Sequence, residues 1–327
     1  MKYTIKQISE IANVAQSTVS KALNGQKGVS EEKRREILKL AGEVNYRPNA
    51  NARALAQNKT ETIGLIVPES AGYSLTGVYW SEMISSVAEE ANKHNYNLLL
   101  IVSDKEKPFQ SIENTILKRS VDGLIIPAEQ LTIQELNLLK EADMPFVIQG
   151  RSLLCEHYCV DVRSVEGMER ITNELIGRGY KNIGCITGPE SFLYTRERIA
   201  GFKKAMADSR LKADKIISTL YSEEETIEAA ERIIKDNPAL DALCVAAGGE
   251  FIFYILETLK KSGVDLNHFG IATFDEYKPL HWLPFPVITA KQPIKQMGTQ
   301  NARNLFQLIN KETPPSLSLF DITIIRE

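Results

Sequence analysis

Apolar positions recur at helical spacing in three short stretches between residues 4 and 44. Thr4-Ile5-Lys6-Gln7 has the form of a capping box, in which the Thr4 and Gln7 side chains satisfy each other's orphan amides. Ile8, Ile11 and Ala12 then mark one helix face. Asn13-Val14-Ala15 interrupts the pattern, as a tight turn between helices would. From Gln16 to Asn24 the apolar side is Val19, Ala22 and Leu23, and the polar side is Gln16, Ser17, Ser20 and Lys21. Gly25 stops this second helix. Ser30 caps a third, with Glu31 and Glu32 in the first turn where they favour the helix dipole, and with Ile37, Leu40, Ala41 and Val44 as its stripe. Two short helices about a tight turn, braced by a third, predict an all-α helix-turn-helix head.

From residue 62 the pattern changes to alternating runs. Apolar runs at 63–67, 97–102, 124–126, 146–148, 183–187, 242–247 and 269–273 predict strands. Amphipathic segments near 80–94, 109–118, 132–142, 164–178, 195–208, 224–236 and 250–262 predict helices between them. Such alternation implies parallel sheets covered on both faces. There are too many strands for one small sheet, and the units divide near residue 160, which predicts an α/β bilobal body of two open, Rossmann-like sheets. Leu319 to Ile325 reads as the last strand. Open parallel sheets bind ligands beyond the carboxyl ends of their strands, and two facing ones make a cleft.

The length of 327 residues fits about two domains. With 43% hydrophobic and 25% charged residues, the chain has ordinary globular composition, against long disorder or a fibre. No run approaches the ~18 apolar residues of a membrane span. Residues 1–7 lack the apolar stretch of a secretory signal, so a cytoplasmic protein without a membrane partner is expected. Charge changes the picture more. Residues 1–60 carry a net +6 and the remainder a net −9. A basic head on an acidic body suggests a head that meets a polyanion, with a solvated basic face as the plainer reading. Short donors, acceptors and a cation on the exposed face of the second helix suit base edges in a major groove, and Gln16, Ser17 and Lys21 are such residues. A small bundle that binds protein, or nothing, has the same pattern.

Four cysteines are too few for a disulfide framework. Cys155 and Cys159 flank His157 without a second paired cluster. They read as incidental thiols rather than a metal site, and Cys185 and Cys244 read as strand cores. Neither metal nor cofactor is expected. Gly177-Arg178-Gly179 with Gly184 does not complete a dinucleotide fingerprint, and there is no phosphate-binding loop or nucleophile elbow. His94, His157, His268 and His281 form no recognised catalytic arrangement, so the chain is not expected to be an enzyme.

The stretches Thr4 to Ala12 and Val14 to Asn24, with Tyr46-Arg47-Pro48-Asn49-Ala50-Asn51-Ala52-Arg53-Ala54-Leu55, closely resemble the head of the LacI/GalR family of transcription regulators. Thr62-Ile63-Gly64-Leu65-Ile66-Val67-Pro68 resembles the start of that family's large domain, and the likeness continues to Gln292-Pro293 and Met297-Gly298. The resemblance implies a helix-turn-helix domain over 1–46 and a hinge helix or linker over 47–61. It implies a periplasmic-binding-protein-like effector and dimerisation domain over 62–327. The subdomains would be about 62–160 plus 292–320 and about 161–291 plus 321–327, with three crossings between lobes. The residues after Pro48 are good helix formers in a stretch too short to be stable alone. In the family this is a hinge helix paired with its dimer mate in the minor groove, and Leu55 matches the side chain that pries open a base step. DNA contacts are then expected from Thr4, Gln16, Ser17, Thr18, Ser20, Lys21, Asn24, Tyr46, Asn49, Arg53 and Leu55. A homodimer on a pseudo-palindromic double-stranded operator follows.

Candidate effector contacts lie in loops after the strands. After the first come Tyr73, Tyr79 and Trp80; an aromatic face covers the apolar side of a sugar, and core packing is the other reading. Ala128-Glu129 follows the third strand, and Gly150-Arg151 the fourth. Arg198, and beside it Arg196, precede Ile199-Ala200-Gly201-Phe202; Arg198 matches the family's effector-contacting arginine, and Asp275 its effector-binding acid. Many members carry Asn-Asp where this chain has Ala247-Gly248-Gly249-Glu250, which leaves Glu250 as the polar candidate. Arg151, Arg196 and Arg198 together would favour an anionic ligand such as a sugar acid or sugar phosphate. The expected function is that of a sequence-specific DNA-binding repressor of carbohydrate genes, allosterically controlled by a small sugar-like effector bound in the interlobe cleft. The alternative is a cytoplasmic sugar-binding or sugar-processing protein with a basic appendage.

Overall fold

A computed structural model describes residues 3–23, 25–44, 46, 59–67, 77–103, 108–154, 157–248 and 250–326. Contacts divide the chain into two compact units, Met1–Glu61 and Thr62–Glu327. Of the residues singled out above, Asn24, Asn49, Arg53, Leu55, Tyr73 and Cys155 lie outside the described residues.

The first unit contains α1 (Ile5–Ile11), α2 (Gln16–Leu23) and α3 (Glu31–Glu43). The capping box is present: the Gln7 amide donates to Thr4 Oγ1, and the Thr4 amide donates to Gln7 Oε1 at 2.9 Å. Ser30 Oγ accepts the Lys33 amide at 3.3 Å and caps α3. Gly25 has φ +68°, the left-handed backbone that ends α2 without a Cβ penalty. Ile8, Ala12, Val19, Ala22, Ile37 and Ala41 form the core of the unit. Each fully buried large apolar side chain there contributes about 1.5–3 kcal/mol. Arg34 of α3 ties down the loop after α2 by donating to the Gln26 carbonyl at 2.6 Å.

In chain order the second unit contains β1 (Thr62–Val67), α4 (Val78–Lys93), β2 (Asn97–Val102), α5 (Pro108–Leu117), β3 (Leu124–Pro127), α6 (Ile133–Glu141), β4 (Phe146–Gln149) and β5 (Cys159–Val162). It continues with α7 (Ser164–Gly177), β6 (Ile183–Thr187), α8 (Leu193–Asp208), β7 (Ile216–Ser218), α9 (Glu223–Asp236), β8 (Ala242–Val245) and α10 (Phe251–Lys261). Last come β9 (Gly270–Phe274), β10 (Val287–Lys291), α11 (Ile294–Ile309), β11 (Leu317–Phe320) and β12 (Thr323–Arg326). The strands form two six-stranded sheets, in the orders β11-β5-β4-β3-β1-β2 and β12-β10-β9-β8-β6-β7. All pairings are parallel except that of β12 with β10. Both faces of the central strands are covered, so β3, β4, β6 and β8 are buried at every residue. The edge strand β2 instead exposes Leu99, Leu100 and Val102.

The seven apolar runs are strands, although the run at 242–247 ends at Val245. The pattern misses β5, β7 and β10. Asp161 interrupts the apolar run of β5, and β7 is three residues long on a sheet edge. Leu319 to Ile325 is not one strand but parts of two. Between them Ile322 turns into the core against α7, where Gly167 leaves it room: a Cβ on Gly167 would lie 2.4 Å from Ile322 Cδ1. β11 therefore joins the first sheet and β12 the second. The chain passes between the lobes after β5, after β10 and after β11. Among the described residues no helix is long and apolar enough to cross a membrane.

Candidate nucleic-acid interface and ligand cleft

Helix α2 is built with two unlike sides. Val19 and Ala22 are buried against α1 and α3, while Gln16, Ser17 and Lys21 are exposed and Thr18 and Ser20 half-buried. The short polar residues and one lysine therefore face outward from a helix fixed by its core, as a helix read by base edges must. Thr4 is exposed at the start of α1, with its hydroxyl engaged in the cap. Tyr46 is half-buried against the core of the head, and its amide donates to the Ala41 carbonyl at 2.8 Å.

In the second unit, Asp275 follows β9 with φ +72°, a conformation few non-glycine residues adopt and one that has to be held by its surroundings. Its amide donates to the Ala290 carbonyl at 2.9 Å, and Oδ1 accepts from Gln292 Nε2 at 2.5 Å. Arg198 of α8 is 5% exposed. Nη1 donates to the Ala246 carbonyl at 2.8 Å, and the guanidinium carbon lies 3.8 Å from the Phe274 ring centroid and 5.1 Å from that of Tyr194. Stacking on aromatic faces holds this charge in place. Arg198 Nε is buried without a protein partner. Gly248, with φ +75°, lies over both: a Cβ there would be 2.8 Å from Asp275 Oδ2 and 3.6 Å from Arg198 Nη1. The glycine at this position thus keeps the space above the acid and the arginine open.

The first lobe supplies Tyr79 and Glu129. Tyr79 Oη accepts from Gln149 Nε2 at 2.9 Å, and Asn301 of α11 donates in turn to Gln149 Oε1. Burial pushes the Tyr79 hydroxyl well up, and the neighbouring charges of Glu129, Asp275 and Asp161 push the same way. The charge of Arg198 acts on the same hydroxyl in the opposite sense. Trp80 points elsewhere. It is 7% exposed in the core, edge-on to Tyr79 at 5.4 Å between centroids, so the pair divides into a cleft ring and a packing ring. Glu129 lies in the single 3₁₀ turn after β3, and burial pushes its carboxyl to about 7, aided by Asp161.

Arg151 is spoken for. Nε donates to Asp161 Oδ2 at 2.8 Å, and Nη2 donates to both oxygens of Glu197 at 2.6 Å. Burial disfavours the Arg151 charge, but the two carboxylates outweigh it and hold the guanidinium protonated. Arg196 is exposed and donates to the Glu190 carbonyl at 2.6 Å. Glu250 accepts from the Tyr277 hydroxyl at 2.9 Å, and that hydroxyl also takes the Val78 amide at 3.4 Å, linking the second lobe to α4 of the first. The structure therefore brings Tyr79, Glu129, Arg198 and Asp275 together, and sets Trp80, Arg151 and Arg196 to other contacts.

Among the described residues no group of three His, Cys, Asp or Glu could hold a metal ion. His157 stacks on Phe146 at 3.8 Å and is hydrogen-bonded to its carbonyl. Cys185 and Cys244 are paired on neighbouring strands, and burial pushes both thiols up, Cys244 to about 12.

Sequence reasoning missed Tyr194 and Tyr221, whose hydroxyls are 3.0 Å apart in the second lobe. Burial pushes both hydroxyls up, and the charge of Glu129 adds to the shift. It also missed Asp161, because β5 was not recognised as a strand. Tyr194 stood in plain view four residues before Arg198, one helical turn away, which was the available signal.

Residues 4–49 match the family model for bacterial regulatory proteins of the lacI family, and residues 60–321 match that for periplasmic binding proteins and the sugar-binding domain of the LacI family. The chain is 27% identical over 323 residues to catabolite control protein A of Priestia megaterium, covering 97% of this chain and 95% of that protein. Its fold is similar to that of the lac repressor dimer bound to operator and the anti-inducer ONPF, with a TM-score of 0.84 at 20% identity over 99% of this chain and 98% of the other. It is likewise similar to the transcriptional regulator CelR–cellobiose complex, with a TM-score of 0.75 at 22% identity over 100% and 99% of the two chains.

Proposed function

This chain belongs to the LacI family of bacterial regulatory proteins, and on that premise we propose that it binds an operator and is switched by a sugar-like ligand in the cleft of its body. The observation that carries the DNA reading is the exposed polar face of α2, Gln16, Ser17 and Lys21, on a helix anchored by Val19 and Ala22. Thr4, Thr18, Ser20 and Tyr46 flank it, and Asn24, Asn49, Arg53 and Leu55 complete the set on sequence grounds. A homodimer would set two such helices in successive major grooves of a pseudo-palindrome. The exposed apolar edge at Leu99, Leu100 and Val102 supports a covering second copy. Binding genomic DNA makes the cytoplasm its place of action.

Ligand between the lobes would shift their geometry, and reciprocity requires operator binding to change ligand affinity by the same factor. Tyr79, Glu129, Arg198 and Asp275 are the proposed contacts, with Glu250 at the margin. Recovery of sheared genomic DNA by the purified full chain, at ~150 mM salt where non-specific binding is weak, tests the DNA reading. Enrichment of a shared pseudo-palindrome is expected. Uniform recovery of fragments, with sugars present or absent, would sink it.

A further inference from the structure

Helix α2 has eight residues, and a helix of that length does not hold its own shape in water. The core fixes its middle through Val19 and Ala22. The last carbonyls of any helix lack partners within it and have to be held from outside. Arg34 of α3 does this. Nη1 donates to the Ala22 carbonyl at 3.4 Å, and Nη2 donates to the Gln26 carbonyl at 2.6 Å. One planar fork thus joins the last turn of α2 to the loop that follows it. The cation also stands at the negative end of the α2 dipole.

The loop fits this fork. A Cβ on Gly25 would lie 3.8 Å from Arg34 Nη1, and one on Gly28 would lie 3.9 Å from Lys21 Nζ. The Gln26 amide donates back to the Lys21 carbonyl at 2.9 Å. Loop and helix end are therefore bonded to each other as well as to Arg34. Lys21, whose ammonium lies beside this loop, is one of the proposed base contacts.

A cation in a basic head has phosphate as its ordinary partner. Arg34 is placed otherwise. Its side chain is 16% exposed, and its three nitrogens face the Ala22 carbonyl, the Gln26 carbonyl and, at 3.5 Å, Glu31 Oε1. The next residue, Arg35, is exposed. We propose that Arg34 is a positioning residue for sequence reading: it sets the end of α2 and the place of Lys21, and does not itself contact phosphate. The inference rests on α2 being the helix that meets base edges.

Anisotropy titrations of the full chain test it with two labelled duplexes, the one that the wild-type protein enriches most from a randomised pool and a scrambled copy of it. Arg34→Lys keeps the cation but has one nitrogen where the fork has two. It is expected to lose ~10-fold or more in affinity for the enriched duplex, as for a lost base contact, and less than about twofold for the scrambled one, with an unchanged slope of log affinity against log salt. Gly25→Ala strains the same loop at φ +68° without altering charge, and is expected to show the same selective loss. An enriched-to-scrambled ratio within about twofold of the wild type in either variant overturns the proposal, since a base contact is worth more than that. A loss shared equally by both duplexes overturns it too: with a salt slope lower by ~0.9 it marks a phosphate contact, and without one a purely structural role. A wild-type protein that enriches no sequence sinks the base-reading helix itself, a result scored before any variant is compared.

Discussion

Arg151 donates through Nη2 to both carboxylate oxygens of Glu197 at 2.6 Å, and the two residues belong to different lobes. Arg151 follows β4 of the first sheet, and Glu197 sits on α8, which packs on the α7 layer of the second. Asp161 braces the same guanidinium from the first lobe. This clasp spans the surface along which the lobes must move if ligand is to change their angle. Arg151→Ala leaves Asp161 and Glu197 without a countercharge and should cost more than Glu197→Gln. With Arg151 29% and Glu197 15% exposed, solvent screening reduces the loss from that of a fully buried pair to about 1–2 kcal/mol. That corresponds to a melting midpoint lower by ~2–4 °C. Equal midpoints for wild type and Arg151→Ala would deny the clasp a role.

Glu129 makes body stability depend on pH. Burial raises its carboxyl to about 7 in the folded chain, against ~4.3 when unfolded. In the window between these values the folded state holds the proton more tightly, so stability is fully present below the lower value and is lost as pH rises through about 7. Glu90 and Glu174, whose carboxyls are lowered, act in the opposite sense: burial opposes the shift at Glu90 but Arg303 and Lys93 outweigh it, while Arg326 leads it at Glu174. The comparison must therefore be with Glu129→Gln, whose melting midpoint should vary less between about pH 5 and about pH 7.5 than that of the wild type. Parallel curves would show that Glu129 does not titrate there.

Gly248→Asn puts a polar side chain over Asp275 and Arg198. Here it should weaken ligand binding rather than improve it. The left-handed backbone disfavours a side chain, and its Cβ would lie 2.8 Å from Asp275 Oδ2. A loss of ~10-fold or more in affinity is expected, in keeping with ~1–3 kcal/mol for strain at such a position. Arg196→Ala, by contrast, should leave ligand affinity within about twofold, because its guanidinium is engaged at the exposed Glu190 carbonyl. Tighter binding by Gly248→Asn would mean that an added amide, not open space, is what the cleft lacks.

Gln16→Ala should weaken operator binding ~10- to 100-fold and relax preference at one base pair, the cost of about 1–3 kcal/mol for a direct base contact. The head should melt unchanged, because Gln16 is exposed and outside its core. Leu55→Ala should weaken specific binding with little effect on ligand affinity. Filter binding against operator and scrambled duplexes separates the two: Gln16→Ala that loses affinity equally for every sequence would place it at phosphate, not at a base.

The head was legible almost residue by residue, because its signals are local; the exception is Ile11, expected on the apolar face of α1 but 55% exposed, since the turn after α1 leaves it outside the three-helix core. Thr4 and Gln7 close a capping box three residues apart, and the periodicity of Val19, Ala22 and Leu23 orients α2 without reference to distant chain. The body was legible as alternation but not in its edges. β5 hid behind Asp161, whose charge is satisfied by Arg151, a partner ten residues away that no period reveals. Arg151 read as a candidate ligand contact, and no period along the chain reveals that Asp161 and Glu197 pair with it. Trp80 and Tyr79 are adjacent in sequence yet face core and cleft, and only their packing distinguishes them. The break at Asp321-Ile322 was missed although Asp321 interrupts the apolar run, because the role of Ile322 depends on the space above Gly167.

The division of residues 317–326 between the two sheets has a consequence for synthesis. β11 closes the edge of one lobe beside β5, and β12 closes the edge of the other beside β10. Neither lobe can acquire its full set of strands until the ribosome has translated this segment, whereas the core of the head is complete by Ala41. A nascent chain can therefore carry a folded head long before it carries either sheet complete.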